Sequence, residues 1–300
     1  MKRREFLKDL GIAAGALAIG APRAIPAAAT VAARTYDFQT KHVVCIINGS
    51  GSRKMDWYRN PALCPNFDRI ARESFSYEES FNDTVGNHER ALAELLTGDR
   101  EAWRRPASPS VSDYIRAAYP ESESNLWFLS DRGGEDPEPL AALPHILKEF
   151  KPKLIICQIT AHDAGHGNHG RPRLKTGQYE YFNVCRTTDE QVGRIFDFIK
   201  TDGYFSRTTA LVVRPEFGRD DEPNMYGEIH HSEGFYQTHY SAEIWWGPDF
   251  RAGVDRGVKN RVDFAPSLVK LFNVDAAGAM GQVHPEMFKP ALGEFPAYRE

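Results

Sequence analysis

Several stretches of this 300-residue sequence carry side chains that could attack a phosphoryl group or hold a metal ion. One is Asn82-Asp83-Thr84-Val85-Gly86-Asn87-His88, followed by a segment of helical spacing that ends at Thr97-Gly98. A hydroxyl just ahead of a helix is exposed, and the free amides and the dipole there favour an anion. That is the setting a phosphoryl-accepting nucleophile needs; the competing reading is that Thr84 or Asn87 simply caps the helix. A second stretch is Thr160-Ala161-His162-Asp163-Ala164-Gly165-His166-Gly167, where Asp163 and His166 place an oxygen and a nitrogen donor a few residues apart. That donor set suits Zn, Mn or Fe, against the plainer reading of a His-rich solvated loop. The third is the pair His230-His231 beside Gly227, too polar to be core. Six of the ten histidines (His162, His166, His169, His230, His231, His239) fall in two loops, and His88 lies in another.

Elements that could bring these loops together are legible around them. Apolar runs at His42 to Ile47, Asn125 to Leu129, Leu154 to Ile159, Thr208 to Val213 and Ala242 to Trp246 read as strands. Amphipathic segments at Asn66 to Ser74, Glu89 to Leu96, Val111 to Ala118, Leu140 to Phe150, Tyr181 to Lys200 and Val262 to Phe272 read as helices. Strands alternating with helices imply a three-layer α/β/α domain with a largely parallel central sheet. In such sheets ligands bind beyond the carboxyl ends of the strands, where the polar loops following these runs would converge.

The first 29 residues stand apart. Arg3-Arg4 followed by Phe6-Leu7-Lys8, a mildly apolar stretch from Leu10 to Ala21 and Ala27-Ala28-Ala29 have the form of a twin-arginine signal peptide with a small-residue cleavage site. A dozen apolar residues fall short of the roughly 20 that cross a bilayer, so no stable membrane span is expected. Export through the twin-arginine machinery implies a periplasmic or extracellular destination for residues 30–300, expected as one domain without a large C-terminal subdomain. Without residues 1–29 the chain has 32 Lys and Arg against 39 Asp and Glu. That balance argues against a nucleic-acid partner. Arg171, Arg173 and Lys175 form a small basic cluster, either solvated or drawing in an anionic substrate. Cys45, Cys64, Cys157 and Cys185 make no C-x-x-C pair, which disfavours a structural zinc, and Cys45 and Cys157 sit inside strand-like runs as small buried hydrophobes.

Taken in order, further motifs resemble the alkaline phosphatase-like superfamily, which includes sulfatases and phosphodiesterases. Cys64-Pro65-Asn66-Phe67-Asp68-Arg69-Ile70-Ala71 resembles the sulfatase T-P-N-L-D-R-L-A segment, and Asp189-Glu190-Gln191-Val192-Gly193 the D-x-x-x-G of the long helix. Ala242 to Pro248 with Ala252-Gly253 is similar to V-P-L-I-x-x-G-P…A-G, and Asp263-Phe264-Ala265-Pro266-Ser267-Leu268 to D-x-A-P-T-L. The likeness runs from about residue 42 to residue 293. Thr84-x-x-Asn87-His88 resembles the T-x-x-N-H nucleophile loop of the nucleotide pyrophosphatase/phosphodiesterase branch, and Asp163 to His166 the D-x-x-G-H metal loop with one residue removed. Glu216-Phe217-Gly218-Arg219 resembles a twin-arginine-exported branch of the same superfamily that carries E-F-G-R before a His-bearing loop.

The resemblance implies an exported hydrolase that uses a divalent metal ion (Zn, Mn, Fe or Ca) on phosphate mono- or diesters, with Thr84 as nucleophile and Asn87 as donor to the non-bridging oxygen. Asp163, His166, Glu216, His230, His231 and Asn48 are its implied ligands. Two departures fall on one of the family's metal sites. Asn48-Gly49 stands where the family has an Asp, and Phe217 where it has a His. The implied consequence is a site lost, weakened or rebuilt from His88, His230 and His231. A sulfatase is disfavoured, because C/S-x-P-x-R is missing and Leu129-Ser130-Asp131-Arg132 stands where a K-x-H sulfate-binding element would. The alternative is a degenerate member with a binding or assembly role. The substrate expected is a small-molecule or glycan phosphate or sulfate ester, in an open, shallow site.

Overall fold

The computed structural model describes residues 36–105, 107–120, 125–131, 138–166 and 176–290. Residues 1–29, expected to be a signal peptide, His169 and the Arg171, Arg173, Lys175 cluster lie outside them. One seven-stranded sheet runs through these residues: β1 (His42–Asn48), β2 (Phe75–Phe81), β3 (Leu126–Ser130), β4 (Leu154–Ile159), β5 (Thr209–Pro215), β6 (Tyr240–Trp246) and β7 (Gly253–Asn260). Their spatial order is β3-β4-β1-β5-β6-β2-β7. All pairings are parallel except those of β6, which runs against both β5 and β2.

β1 is buried along its whole length between β4 and β5. A strand covered on both faces cannot alternate apolar with polar, so His-Val-Val-Cys-Ile-Ile-Asn reads as a nearly unbroken apolar run. Val44 and Ile46 point into one core with α1 (Pro65–Arg72), α4 (Glu138–Phe150) and α5 (Thr176–Thr201). Val43, Cys45 and Ile47 point into the other with α2 (His88–Thr97), α3 (Val111–Ala118) and α6 (Phe264–Lys270). The result is the expected α/β/α layering. The four cysteines are all buried and free. Among the described residues no helix is long and apolar enough to cross a membrane.

Two strands escape a reading by hydrophobic period. β7 is an edge strand whose middle residues, Arg256, Gly257 and Val258, are exposed, and its charges keep that edge from pairing further. β2 lies between β6 and β7 and carries Glu78 and Glu79 at a register shift, which breaks its alternation. The segment from Val262 to Phe272 is shorter than its apolar spacing implies: a 3-10 turn at Arg261–Asp263 leads into α6, and the chain turns after Lys270.

The register puts three strand ends side by side. Asn48 pairs with Ile159 of β4 on one side and with Pro215 of β5 on the other. Phe81, the last residue of β2, pairs with Tyr240, the first of antiparallel β6. The loops bearing Thr84, Asp163, Glu216 and His231 therefore leave the sheet at one edge.

Candidate metal centre

Two side chains hold these loops in place. The Asp131 carboxylate, just past β3, accepts from Thr160 N (2.8 Å) and Ala161 N (2.9 Å), which fixes the turn leading to Asp163 and His166. Arg219 is fully buried and spends its guanidinium on backbone carbonyls from three loops: Ser50 and Gly51 after β1, His162 after β4 and Ile229 after β5. Burial pushes its pKa down, against the pull of Tyr181 and Asp163. Gly165 permits this arrangement, since a Cβ there would lie 2.8 Å from Arg219 Nη1. Its carbonyl accepts from Ile229 N (2.8 Å) and so ties the His166 loop to the strand of chain entering His230 and His231.

Ligand atoms of His88, Asp163, His166 and His231 all lie within 4.8 Å of one another. They come from three separate loops. His166 Nε2 is 3.3 Å from Asp163 Oδ1, and His166 packs its ring against His231 with centroids 4.6 Å apart. His88 meets His231 edge-on at 4.9 Å.

The hydrogen bonds behind the cluster set its tautomers. His230 Nε2 donates to Glu228 Oε2 (3.0 Å), so a neutral His230 accepts at Nδ1. His166 Nδ1 then donates to it across 2.8 Å, leaving the Nε2 lone pair facing the Asp163 carboxylate. Two donors each about 2.0–2.1 Å from a tetrahedral Zn²⁺ stand about 3.3 Å apart, so a cation between them fits this pair. His231 completes the test. Burial first, then the charge of Arg219 and His88, lowers its pKa to about 3, which keeps it neutral. Its Nε2 is buried without a hydrogen-bond partner. An orphaned imidazole nitrogen inside a ring of N and O donors fits a divalent metal.

Glu216 stands outside the group of four. It is fully buried and accepts from Gln158 Nε2 (2.6 Å), Ser50 N (2.9 Å) and His88 Nδ1 (3.0 Å), so it orients His88. His230 likewise supports His166 from behind. Asn48 is fully buried at the end of β1, and neither its Oδ1 nor its Nδ2 finds a hydrogen-bond partner. Phe217, also fully buried, stacks on His88 (5.2 Å) and packs on His231 (4.7 Å), covering one side of the cluster with an apolar ring.

Thr84 and Asn87 occupy the adjoining loop. Asn87 is the N-cap of α2, its side chain accepting from Arg90 N (2.9 Å). The Thr84 carbonyl accepts from Arg261 Nη2 (2.6 Å), and its hydroxyl lies beside the Glu94 carboxylate, whose pKa burial raises. Glu94 Oε2 is paired with the buried Arg261 (2.9 Å), and Oε1 is buried without a hydrogen bond. The structure thus brings His88, Asp163, His166 and His231 together, with Glu216 and His230 against them. Thr84 sits four residues from His88, next to a carboxylate.

Asp131, Glu228 and Glu94 carry no sequence signal of their own, and Arg219 has only its place in the E-F-G-R run.

No family model matches this sequence, and no curated protein matches it. Solved structures do. A protein in the alkaline phosphatase superfamily from Vibrio parahaemolyticus aligns at TM-score 0.59 and 15% identity, over 94% of this chain and 78% of that one. Phosphonate monoester hydrolase from Silicibacter pomeroyi aligns at TM-score 0.57 and 14% identity, over 87% and 78%. The C-terminal periplasmic domain of EptC from Escherichia coli, in complex with Zn, aligns at TM-score 0.59 and 13% identity, over 85% and 91%. The fold is the α/β fold these proteins share.

Proposed function

We propose that this chain is an exported hydrolase of phosphate mono- or diesters that works at a single divalent metal ion. The observation that carries the reading is the convergence of His88, Asp163, His166 and His231 within 4.8 Å at the carboxyl edge of the sheet. Asn48 and Phe217 support a single ion rather than two, because an uncharged amide and a phenyl ring replace two donors on the same side. When bound, the metal would withdraw charge from the ester oxygen and lower the barrier to its displacement. The chain's own residues do the rest. Thr84 Oγ1 attacks phosphorus and passes its proton to Glu94, beside which the hydroxyl lies; the P–O bond to the alcohol breaks, the alcohol leaves with that proton, and water then cleaves the phosphothreonine and restores the Thr84 hydroxyl. Arg261 holds the Thr84 backbone still while this happens. The Glu216 and His230–Glu228 contacts keep His88 and His166 aimed.

The structural neighbours include a phosphonate monoester hydrolase and a Zn-bound periplasmic domain, which supports metal-dependent ester chemistry and an exported setting. The signal-like segment at residues 1–29 supports export by the twin-arginine machinery. The test is metal content together with turnover of p-nitrophenyl phosphate, bis(p-nitrophenyl) phosphate and p-nitrophenyl sulfate. The reading expects metal-dependent phosphate ester turnover that Thr84→Ala and His166→Ala each abolish. Turnover that survives Thr84→Ala removes the nucleophile assignment. A second reading, a metal-binding protein without catalysis, is favoured by the apolar cover of Phe217; it predicts bound metal and no turnover with any ester.

A further inference from the structure

The Thr84 loop rests on a buried array of charges that begins in the middle of the sheet. Arg214 in β5 and Arg261 in the 3-10 turn after β7 are both buried, and both donate to one oxygen, Asn82 Oδ1, across 2.9 and 3.0 Å. Two guanidinium groups this close in an interior repel, so each needs a carboxylate of its own. Arg214 Nη1 has Glu243 Oε1 (2.5 Å), and Arg261 Nη1 has Glu94 Oε2 (2.9 Å). Asn82 stands between the pairs with its amide fixed at both ends. Its Nδ2 donates to Ser80 O (3.1 Å), His239 O (3.0 Å) and Ser241 Oγ (3.2 Å), so acceptors surround the nitrogen and cations the oxygen, and only one orientation of the amide satisfies both.

This seating decides where Arg261 points. With Nε on Asn82 Oδ1, its Nη1 reaches Glu94 in α2 and its Nη2 reaches the Thr84 carbonyl (2.6 Å). One planar fork therefore spans Asn82, Thr84 and Glu94, which a lysine ammonium cannot do. Charge is the second part of its role. Burial is the largest influence on Glu94 and raises its pKa, and Arg261 is the largest influence against it. Asp83 and Arg100 act on Glu94 in opposite directions and are paired with each other at 2.6 Å. Burial, and then the charge of Arg214, lowers the pKa of Arg261 to about 10 against the pull of Glu94, Glu216 and Asp83, so it stays charged at neutral pH. A buried carboxylate left without a cation takes up a proton. In that state Glu94 could not receive one from Thr84.

We propose that Arg261 is a positioning residue for Thr84 and Glu94: seated by Asn82, it aligns the hydroxyl with the carboxylate and supplies the positive charge against which that buried carboxylate stays ionised. The proposal rests on Thr84 as nucleophile and Glu94 as acceptor of its proton, which then leaves with the alcohol.

The test follows the Glu94 carboxyl carbon by ¹³C NMR against pH in the metal-free full chain, its signal identified by its loss in Glu94→Gln. Arg261→Met moves the titration midpoint up by about one to three pH units. Arg261→Lys keeps the charge and leaves the midpoint near that of wild type, yet lowers kcat for bis(p-nitrophenyl) phosphate by about tenfold or more, because the alignment is lost. Where Arg261→Met does not fold, Asn82→Asp gives the same reading: a further carboxylate on Arg261 raises the Glu94 midpoint, and an unmoved midpoint in that variant overturns the proposal. A midpoint in Arg261→Met equal to wild type overturns it too, as does an undiminished kcat in Arg261→Lys. Glu94→Gln separates this failure from that of the Thr84–Glu94 assignment. Turnover and pH profile unchanged in Glu94→Gln remove Glu94 as the proton acceptor, whereas turnover lost in Glu94→Gln with an unmoved midpoint in Arg261→Met removes only the role of Arg261.

Discussion

Replacing Arg219 by Lys tests how the ligand loops are held. The guanidinium donates to four backbone carbonyls, those of Gly51, Ile229, Ser50 and His162, at full burial. A lysine keeps the charge but has one nitrogen and three donors, which cannot span carbonyls on opposite sides of a planar fork. At least two of the four hydrogen bonds are then lost. Hydrogen bonds to a charged group contribute about 1.5–3 kcal/mol each, so the loss comes to about 3–6 kcal/mol. For a chain of this size the lower figure corresponds to a fall in melting temperature of roughly 6–12 °C. The same carbonyls belong to the loops carrying Asp163, His166 and His231, so metal affinity falls at least tenfold as well. Urea denaturation followed by circular dichroism gives the first quantity and competition with a chromophoric chelator the second. If Arg219→Lys unfolds within 1 kcal/mol of wild type and binds metal equally well, the loops are held by something other than this side chain.

Three further outcomes follow from the same geometry. Removing the support behind His166, with His230→Ala or Glu228→Gln, weakens metal binding about 10–100-fold without changing the denaturation midpoint of the metal-free protein, as measured by chelator competition. Asn48→Asp combined with Phe217→His raises bound metal from one ion per chain to two, read by elemental analysis after exhaustive dialysis; a stoichiometry unchanged at one rejects the account of the missing second site. His284 is held by Asp263 (2.8 Å) and Glu286 (3.3 Å); burial opposes its charge, but these carboxylates prevail and raise its pKa to about 9. A folded pKa above the unfolded 6.5 gives stability that is complete below about pH 6.5 and is lost as pH rises through 9. The loss is on the order of 3 kcal/mol, at 1.36 kcal/mol for each pH unit between 6.5 and 9, and in His284→Gln the decline over that window flattens.

The fold was readable where burial forces a pattern. β1, β4 and β5, covered on both faces, show as apolar runs because nothing along them meets water. β2 and β7 did not show: one breaks its alternation at Glu78-Glu79, and the other is an exposed edge. The candidate ligands stood out because Asp and His crowd into few loops, and the structure places Asp163, His166 and His231 with His88 so that their ligand atoms lie within 4.8 Å of one another. What no local pattern can reveal is which polar group pairs with which across the sheet. Arg219 is an ordinary charged residue until it is seen to be buried among carbonyls from three loops, and Glu228 becomes relevant only through His230. Glu216, expected among the ligands, accepts from Gln158, Ser50 and His88 and lies outside the group of four, a placement that no local pattern shows. Asn87 takes the capping role that any residue of its type favours at the start of a helix.

The proposed site holds one divalent metal ion between His88, Asp163, His166 and His231. Diffraction at the zinc absorption edge from crystals of the zinc-loaded protein tests it most directly. A single anomalous peak per chain, bounded by those four side chains and absent from crystals of His166→Ala, is expected. Two peaks, a peak elsewhere, or a zinc-loaded protein with no peak at this position would contradict it.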